Sequence, residues 1–407
     1  MNKAYFIIAG LILGILLGMA VSDTVPLLTQ TADVVGTMWL NSMRMTVVPL
    51  VVTLLITGIL QTATAAGAGR LATRATITMI VILWLVTIMS AIVTPLLLQI
   101  FPMPGGASAS LKLALGALPE PAIPPTFSEI LNKIVPTNVI GAAASNDAIL
   151  PLIIFTIAFS FAAAALPAEK RAIIAGFFEA IAQAMIILIG WVLNIAPLGV
   201  FALGITLGKT AGAAAFGALL HYVLIVASIG FIVMLLAYVV ALIGGRISLT
   251  AFARAAVPAQ AVAISTQSSL ASLPTMLTAV KSLGVGSRSA DVTLPLAVAI
   301  FRGTSPAMNL AVALYVANWL GIHLGPTQIA TGVAVAAITT LGSISLPGTI
   351  TFIASVAPIN LAMGLPIEPL AVLLAIETFP DIMRTVGNVT MDIAVTTTVA
   401  RAEGDIS

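Results

Sequence analysis

The sequence predicts an all-α protein that crosses a lipid bilayer several times. Of its 407 residues, 60% are hydrophobic and only 7% are charged, and six long apolar segments follow one another before residue 245. Soluble proteins carry about 25% charged residues, and a helix needs about 20 apolar residues to cross the hydrocarbon core. The lipid bilayer is therefore an expected partner. The net charge of +2 gives no indication of nucleic-acid binding.

The apolar segments predict the first transmembrane helices. They span residues 4–22, 34–62, 71–101, 135–165, 172–206 and 214–244. Several exceed the required length, which predicts tilted or protruding helices. We interpret the first segment as a retained helix, because no convincing small-residue cleavage site follows it. Residues 102–133 contain six prolines and are expected to form an exposed loop.

Basic residues predict the orientation in a cell (inner) membrane. Most of them lie in alternate loops and near both ends, and the positive-inside rule assigns that set to the cytoplasm. The set comprises Lys3, Arg70, Arg74, Lys170, Arg171, Arg246, Arg254, Lys281, Arg288 and Arg401. Both termini are then cytoplasmic. Three further basic residues are expected at membrane depth: Arg44, Arg302 and Arg384.

The second half of the chain contains two interrupted apolar segments. Residues 250–283 and 327–364 are broken by small polar residues and a proline, at 265–274 and 342–349. A straight helix would not carry such a centre. Arg254 and Lys281 flank the first break on the same predicted side, so the segment should enter and return as a hairpin. Irregular backbone at membrane depth must be buried in protein or line a cavity, and helix ends there would present N–H groups to an anion.

Each interrupted segment is followed by a segment that we interpret as a full helix, residues 291–320 and then 367–401. This order forms an internal repeat, which is inverted if the two hairpins enter from opposite sides. Paired interrupted segments of this kind indicate the binding site of a transporter.

One helix of membrane length carries an unusual polar stripe. Within residues 375–400 the charged residues and the single amide are Glu377, Asp381, Arg384, Asn388 and Asp392. At about 100° per residue, all five fall within roughly 80° around one helix. Charges at such depth usually face a cavity or a pathway. The alternative is an ion-pair network that holds helices together.

The types of residue in the stripe favour an acidic amino acid as the ligand. A guanidinium such as Arg384 binds a carboxylate with two parallel hydrogen bonds. Asp381 lies about 4.5 Å along the same face, where it suits an ammonium group. A C4-dicarboxylate is the alternative, although Asp381 would repel a substrate that lacks the amine. An anion channel would not carry three carboxylates along its path.

Other classes of protein receive little support. The chain has no cysteine, and its two histidines, His221 and His323, are far apart in sequence. No histidine pairs with a nucleophilic serine, and no cluster of metal ligands is present. We therefore expect no enzyme activity, no resident cofactor and no metal site.

Several motifs resemble the dicarboxylate/amino acid:cation symporters, the glutamate transporter family. Residues 381–392 read Asp-Ile-Met-Arg-Thr-Val-Gly-Asn-Val-Thr-Met-Asp, similar to the family pattern D-x-x-R-T-x-x-N-V-x-G-D. Residues 266–269 and 273–274 resemble its first hairpin tip and residues 346–348 its second. Residues 292–296 and 47–51 resemble the starts of its seventh and second helices.

This resemblance implies eight transmembrane helices, two re-entrant hairpins, inverted repeats, an elevator mechanism and a homotrimer. It assigns residues 1–70 to scaffold helices 1 and 2, and residues 71–101 to helix 3 of the transport domain. Residues 102–206 would form scaffold helices 4 and 5 with an extracellular loop. Residues 207–407 would form the core of the transport domain, comprising helices 6, 7 and 8 and both hairpins.

The resemblance also implies roles for individual residues when L-aspartate or L-glutamate binds. Asp381 would bind the amino group, Arg384 the side-chain carboxylate, and Asn388 with Thr385 the remaining polar groups. The expected substrate site also includes Ser268 and Ser269, whose backbone would bind a carboxylate, Ser305, and a lid formed by Leu346, Pro347 and Gly348.

The departures from the family concern the cation site. The family's Asn-Met-Asp-Gly-Thr motif corresponds to residues 301–305, so two sodium ligands become Phe301 and Gly303, with Arg302 between them. We expect Arg302 to replace a bound sodium beside Asp392, with Glu377 or Asp392 as a proton carrier. The alternative is that Arg302 turns to the cytoplasmic interface. Coupling to a proton or to no ion is then expected, and a sodium-coupled symporter remains the alternative.

Overall fold

The computed structural model describes residues 3–20, 26–67, 69–103, 135–145, 149–341 and 348–406. Regular structure in these ranges is helical, apart from one antiparallel bridge between Val285 and Ile406. The helices of the first half are α1 Lys3–Ala20, α2 Pro26–Arg44, α3 Val47–Ala66, α4 Arg70–Ile100, α5 Val139–Ala143, α6 Ile149–Ala164, α7 Ala168–Asn194, α8 Ala196–Ala211 and α9 Ala214–Ile243. Those of the second half are α10 Leu249–Thr266, α11 Leu273–Ser282, α12 Ser287–Ile300, α13 Ser305–Leu320, α14 Pro326–Thr340, α15 Gly348–Ala362, α16 Glu368–Leu374 and α17 Thr378–Glu403.

Several helical stretches are long and apolar enough to cross a bilayer. In the described ranges they are Leu27–Ala66, Arg70–Ile100, Ala168–Asn194, Ala214–Ile243 and Ser287–Leu320. Shorter apolar helices accompany them at Tyr5–Ala20, Ile149–Ala164, Ala196–Ala211 and Thr351–Ala362. The predicted all-helical membrane fold is confirmed at this level. The proline-rich loop at residues 102–133 lies almost entirely outside the described residues.

Helices α1 and α8 approach each other through glycines. A Cβ added to Gly18 of α1 would lie 2.1 Å from the carbonyl oxygen of Ile205, and one added to Gly208 of α8 would lie 2.1 Å from that of Ile15. The two backbones are therefore in direct contact. Such contact through small residues spaced four apart is a common mode of helix association in membranes.

The first predicted interruption is a helical hairpin. Helices α10 and α11 pack against each other, and both contact α17. The turn between them begins at Gln267, which has a left-handed backbone conformation with φ of 50°. At its end, Ser272 donates its N–H to the carbonyl of Ser268 at 3.2 Å. Helices α14 and α15 likewise pack against each other, but their connection at residues 342–347 lies outside the described residues.

The two segments interpreted as full helices are each divided, so this prediction is wrong. The first is broken at residues 301–304, where Phe301 is extended and a new helix begins at Ser305, with Pro306 in its first turn. The second is broken at residues 375–377, so α17 begins at Thr378 and Glu377 is its N-cap. Pro380 lies in the first turn of α17 and has no N–H to donate to Ile376, so the hydrogen bond that a continuous helix would form there is missing.

The polar stripe lies inside the protein because α17 is surrounded. It packs against α9, α10 and α12, with further contacts to α4 and α11. Asp381, Arg384, Asn388 and Asp392 are all buried. In the rest of the molecule α8 packs on α1 and α2, and α3 packs on α6 and α7.

Candidate functional site

The guanidinium of Arg384 lies at the centre of the candidate site. Its Nη2 donates to Oε1 of Glu377 at 2.5 Å, and its Nη1 donates to Oδ1 of Asn309 at 2.6 Å. Its Nε lies 3.3 Å from Oδ1 of Asp381, one turn earlier on the same helix. The side chain is only 7% exposed. Two carboxylates and an amide therefore hold this cation, and α13 contributes the amide.

Glu377 is held from both sides although it lies just before the first residue of α17. It is fully buried. One of its oxygens accepts from Arg384, and the other, Oε2, accepts from the hydroxyl of Tyr222 at 2.8 Å. Tyr222 lies on α9 and is also fully buried. The periodicity argument placed Glu377 on the same helix as the stripe, whereas the structure places it before α17 and brings its carboxylate to Arg384 with the help of a second helix.

Asn388 is bound to the break between α12 and α13. Its Oδ1 accepts from the backbone N–H of Thr304 at 2.8 Å. The Thr304 hydroxyl lies 2.5 Å from the same oxygen and 2.7 Å from the carbonyl oxygen of Arg384. Residues 301–304 are therefore anchored on α17, which places Arg302 next to the polar stripe.

Arg302 and Asp392 form the second charged part of the site. Arg302 lies within electrostatic range of Asp381, Arg384 and Asp392, and the two carboxylates favour its positive charge. Asp392 is fully buried, and neither of its carboxylate oxygens has a hydrogen-bond partner among the described residues. Arg302 and Asp392 therefore interact through their charges, without a hydrogen bond to Asp392.

The remaining predicted site residues, Ser305, Thr385, Ser268 and Ser269, do not hydrogen-bond to the guanidinium of Arg384 in the described part of the chain. Ser305 is buried at the start of α13, and its hydroxyl has no partner in the described chain. The hydroxyl of Thr385 donates to the carbonyl of Asp381 at 2.9 Å. Ser268 and Ser269 are half-buried in the turn of the hairpin, and no hydrogen bond joins this turn to Arg384.

The second hairpin tip can be described only in part. Gly348 is the first residue of α15, whereas Leu346 and Pro347 lie outside the described residues. His221 lies 2.8 Å from the carbonyl oxygen of Phe101 and 3.1 Å from the hydroxyl of Tyr315. In the described ranges, no group of three or more His, Cys, Asp or Glu residues could hold a metal ion.

Three residues of the site were missed by the sequence analysis: Tyr222, Thr304 and Asn309. Each reaches the polar stripe from another helix or from a helix break. A sequence signal exists for Asn309, since it is an amide in the otherwise apolar residues 306–317. A buried amide in such a run needs a hydrogen-bond partner.

The chain is similar in sequence to known symport proteins. The family model described as "Sodium:dicarboxylate symporter family" matches residues 4–402. The "Proton/sodium-glutamate symport protein" of Bacillus subtilis (strain 168) is 28% identical over 98% of this chain and 92% of its own length. The "Proton/glutamate-aspartate symporter" of Escherichia coli (strain K12) is 26% identical over 95% of this chain and 90% of its own length.

A third relative carries a different name. The "C4-dicarboxylate transport protein 1" of Pseudomonas paraeruginosa (strain DSM 24068 / PA7) is 24% identical over 98% of this chain and 89% of its own length. The match to the family model covers nearly the whole sequence, including the charged centre on α17 and both helix breaks that flank it. This chain therefore belongs to the sodium:dicarboxylate symporter family.

Proposed function

We propose that the protein is a secondary active symporter that carries aspartate or glutamate across the cell membrane. The observation that carries this proposal is the buried pair of Arg384 and Asp381 on one face of α17, 3.3 Å apart. A guanidinium binds a carboxylate, and a neighbouring carboxylate binds an ammonium. The names of the Bacillus subtilis and Escherichia coli relatives support an acidic amino acid as the substrate.

Arg384 retains the donors that a carboxylate needs. A guanidinium has five N–H groups, two of them on each terminal nitrogen. Among the described residues, each terminal nitrogen has one acceptor, Asn309 or Glu377. One N–H on each nitrogen is then left for a ligand, which matches the two oxygens of a carboxylate.

The second candidate is a C4-dicarboxylate, supported by the name of the Pseudomonas relative. Uptake into proteoliposomes separates the two. We expect concentrative uptake of radiolabelled aspartate or glutamate and weaker uptake of succinate. In Asp381→Asn, uptake of the amino acid should fall more than uptake of succinate. Uptake of succinate alone would contradict the first proposal, and equal loss of both substrates would contradict the assignment of the amine to Asp381.

For coupling, we propose that Arg302 takes the place of a bound sodium and that a proton, if any ion, is carried. The site holds three carboxylates, Glu377, Asp381 and Asp392, and two guanidiniums, so its formal charge is −1 when all are ionised. An acidic amino acid adds a further negative charge, and a buried excess of charge is costly. Arg302 supplies a permanent positive charge because a guanidinium is essentially never deprotonated.

The contacts distinguish between the two candidate proton carriers. Both oxygens of Glu377 accept hydrogen bonds from donors, whereas neither oxygen of Asp392 does so among the described residues. Hydrogen bonds from donors favour the ionised form of a carboxylate. We therefore propose Asp392 as the proton carrier. Aspartate uptake driven by a pH gradient in sodium-free buffer should be lost in Asp392→Asn and retained in the parent.

We also propose the family architecture of eight transmembrane helices, two re-entrant hairpins with inverted repeats, an elevator mechanism and a homotrimer with cytoplasmic termini. The packing supports two groups of helices. Helices α1, α2, α3, α6, α7 and α8 pack mainly among themselves, and α4 packs mainly with the group formed by α9 to α13 and α17. They follow the proposed scaffold in residues 1–70 and 102–206 and the proposed transport domain in residues 71–101 and 207–407. Helix α2 lies in the proposed scaffold and α16 in the proposed transport domain. Site-directed crosslinking between them, with and without substrate, would test whether these two domains move relative to each other.

A further inference from the structure

Among the described residues, Tyr222 is the uncharged side chain that donates a hydrogen bond to the carboxylate of Glu377. Its hydroxyl donates to Oε2 at 2.8 Å across 155 positions of sequence. The ring is fully buried on α9 and makes an edge contact with Tyr315, with ring centroids 5.3 Å apart. The substrate site proposed above gives this hydroxyl no role.

Tyr222 is one end of a continuous buried chain of hydrogen bonds. From Tyr222 the chain runs to Glu377, then to Arg384, and ends at Oδ1 of Asn309. It connects α9, the N-terminus of α17 and α13. Each terminal nitrogen of the guanidinium is thereby bound at one position, and the orientation of the guanidinium plane is fixed by two helices besides its own.

We propose that Tyr222 is a positioning residue for the recognition of the substrate carboxylate. Its hydroxyl holds Glu377 in the orientation in which this carboxylate binds only one N–H of Nη2. The second N–H then remains aligned with the unoccupied N–H of Nη1, and Asn309 fixes that nitrogen from the opposite side. This inference rests on the proposed function, because it assigns the two remaining N–H groups to an acidic substrate.

The physical reason is that Glu377 and the substrate carboxylate share the N–H groups of Arg384. Without the Tyr222 hydroxyl, Oε2 of Glu377 is a buried acceptor with no partner among the described residues, which is costly. The carboxylate can relieve this cost by turning both oxygens toward Arg384. It would then occupy the N–H groups that we assign to the substrate. Affinity for an acidic substrate should fall, while the charges of the site remain unchanged.

Tyr222→Phe tests the inference because it removes a single oxygen. In proteoliposomes we expect the KM for aspartate to rise about tenfold, with Vmax within twofold of the parent. Tyr315→Phe is the matched control. It also removes one hydroxyl, from the ring that packs against Tyr222, but this hydroxyl donates to the carbonyl of Ala218 at 2.9 Å. Its KM should stay within twofold. A KM for Tyr222→Phe that is unchanged or lower would overturn the proposal.

A double-mutant cycle identifies the route of the effect. If Tyr222 acts through Glu377, then Tyr222→Phe should change KM less than twofold in a Glu377→Gln background. A further tenfold rise in that background would show that Tyr222 acts elsewhere, against the proposal.

A chemical readout separates this inference from the proposed function. The rate at which phenylglyoxal modifies Arg384, followed by peptide mass spectrometry, should fall several-fold in Tyr222→Phe, because Glu377 then occupies more of its N–H groups, and stay unchanged in Tyr315→Phe. Equal rates in all three proteins would overturn the positioning role. A parent protein that carries no acidic substrate would contradict the proposed function, and the modification rate would still decide whether Tyr222 positions Arg384.

Discussion

Thr304 places both its backbone N–H and its hydroxyl on one atom, Oδ1 of Asn388, at 2.8 and 2.5 Å. Two donors on one amide oxygen fix the break between α12 and α13 against the middle of α17. The break brings the charge of Arg302 to the polar stripe. In an uninterrupted helix over residues 291–320, helical periodicity alone would decide the position of Arg302, and the hydrogen bonds of Thr304 to Asn388 would have no part in it.

Thr304→Val should destabilise the protein by about 1–3 kcal/mol, because it leaves a buried acceptor with one donor fewer. Thermal unfolding in detergent measures the effect as a lower Tm. Thr340→Val is the matched control: Thr340 is equally buried, but its hydroxyl bonds to Ala336 within its own helix, so we expect a smaller shift. Equal shifts in the two variants would argue against the anchoring role of Thr304.

Arg384→Ala should abolish binding of acidic amino acids. Removal of one partner of a buried charge pair costs about 2–5 kcal/mol, so affinity for aspartate should fall at least about thirtyfold. Equilibrium binding of radiolabelled aspartate to the purified protein measures this loss. Arg70→Ala is the control, since the Arg70 side chain is 78% exposed and lies outside the site. Aspartate affinity within a few-fold of the parent in Arg384→Ala would contradict the assignment.

The hairpin turn should be shielded by substrate. The chain has no cysteine, so Ser269→Cys introduces a single thiol into the turn between α10 and α11. We expect aspartate to slow its reaction with a soluble maleimide. Ser282→Cys, exposed at the far end of α11, should react at the same rate with and without aspartate. Gly348→Cys tests the second tip in the same way, and no protection at either tip would argue against a lid formed by the hairpins.

The sequence predicted most of the charged residues of the site but few of the residues that hold them in position. Asp381, Arg384, Asn388 and Asp392 recur at helical spacing in a chain that is otherwise apolar, and that pattern alone predicts one buried face. Glu377 lies outside α17, and the helix break beside it was missed because a proline also occurs inside continuous helices, where it produces a kink. The signal for the break was Pro380, as Gly303 and Pro306 were for the other.

The contacts of Tyr222 and Asn309 could not be predicted in the same way. They join residues that are 155 and 75 positions apart, and periodicity describes only the face on which a side chain lies. Which faces meet is decided by the packing of α9 and α13 on α17. The resemblance to a known family supplied the substrate roles, but it assigned none to these two residues.

Binding of aspartate should be insensitive to sodium. Arg302 supplies a fixed positive charge beside Asp381 and Asp392, so a sodium ion at that position would add charge where a cation is already present. An ion without differential affinity for two states cannot drive a change between them. Titration of aspartate binding in potassium-only and sodium-only buffers should give dissociation constants within a few-fold of each other. A gain of tenfold or more in sodium would contradict the replacement. Arg302→Met should weaken aspartate binding in both buffers, because Asp392 loses the nearby positive charge of Arg302. Arg288→Met, which removes an exposed guanidinium from α12, should leave binding unchanged.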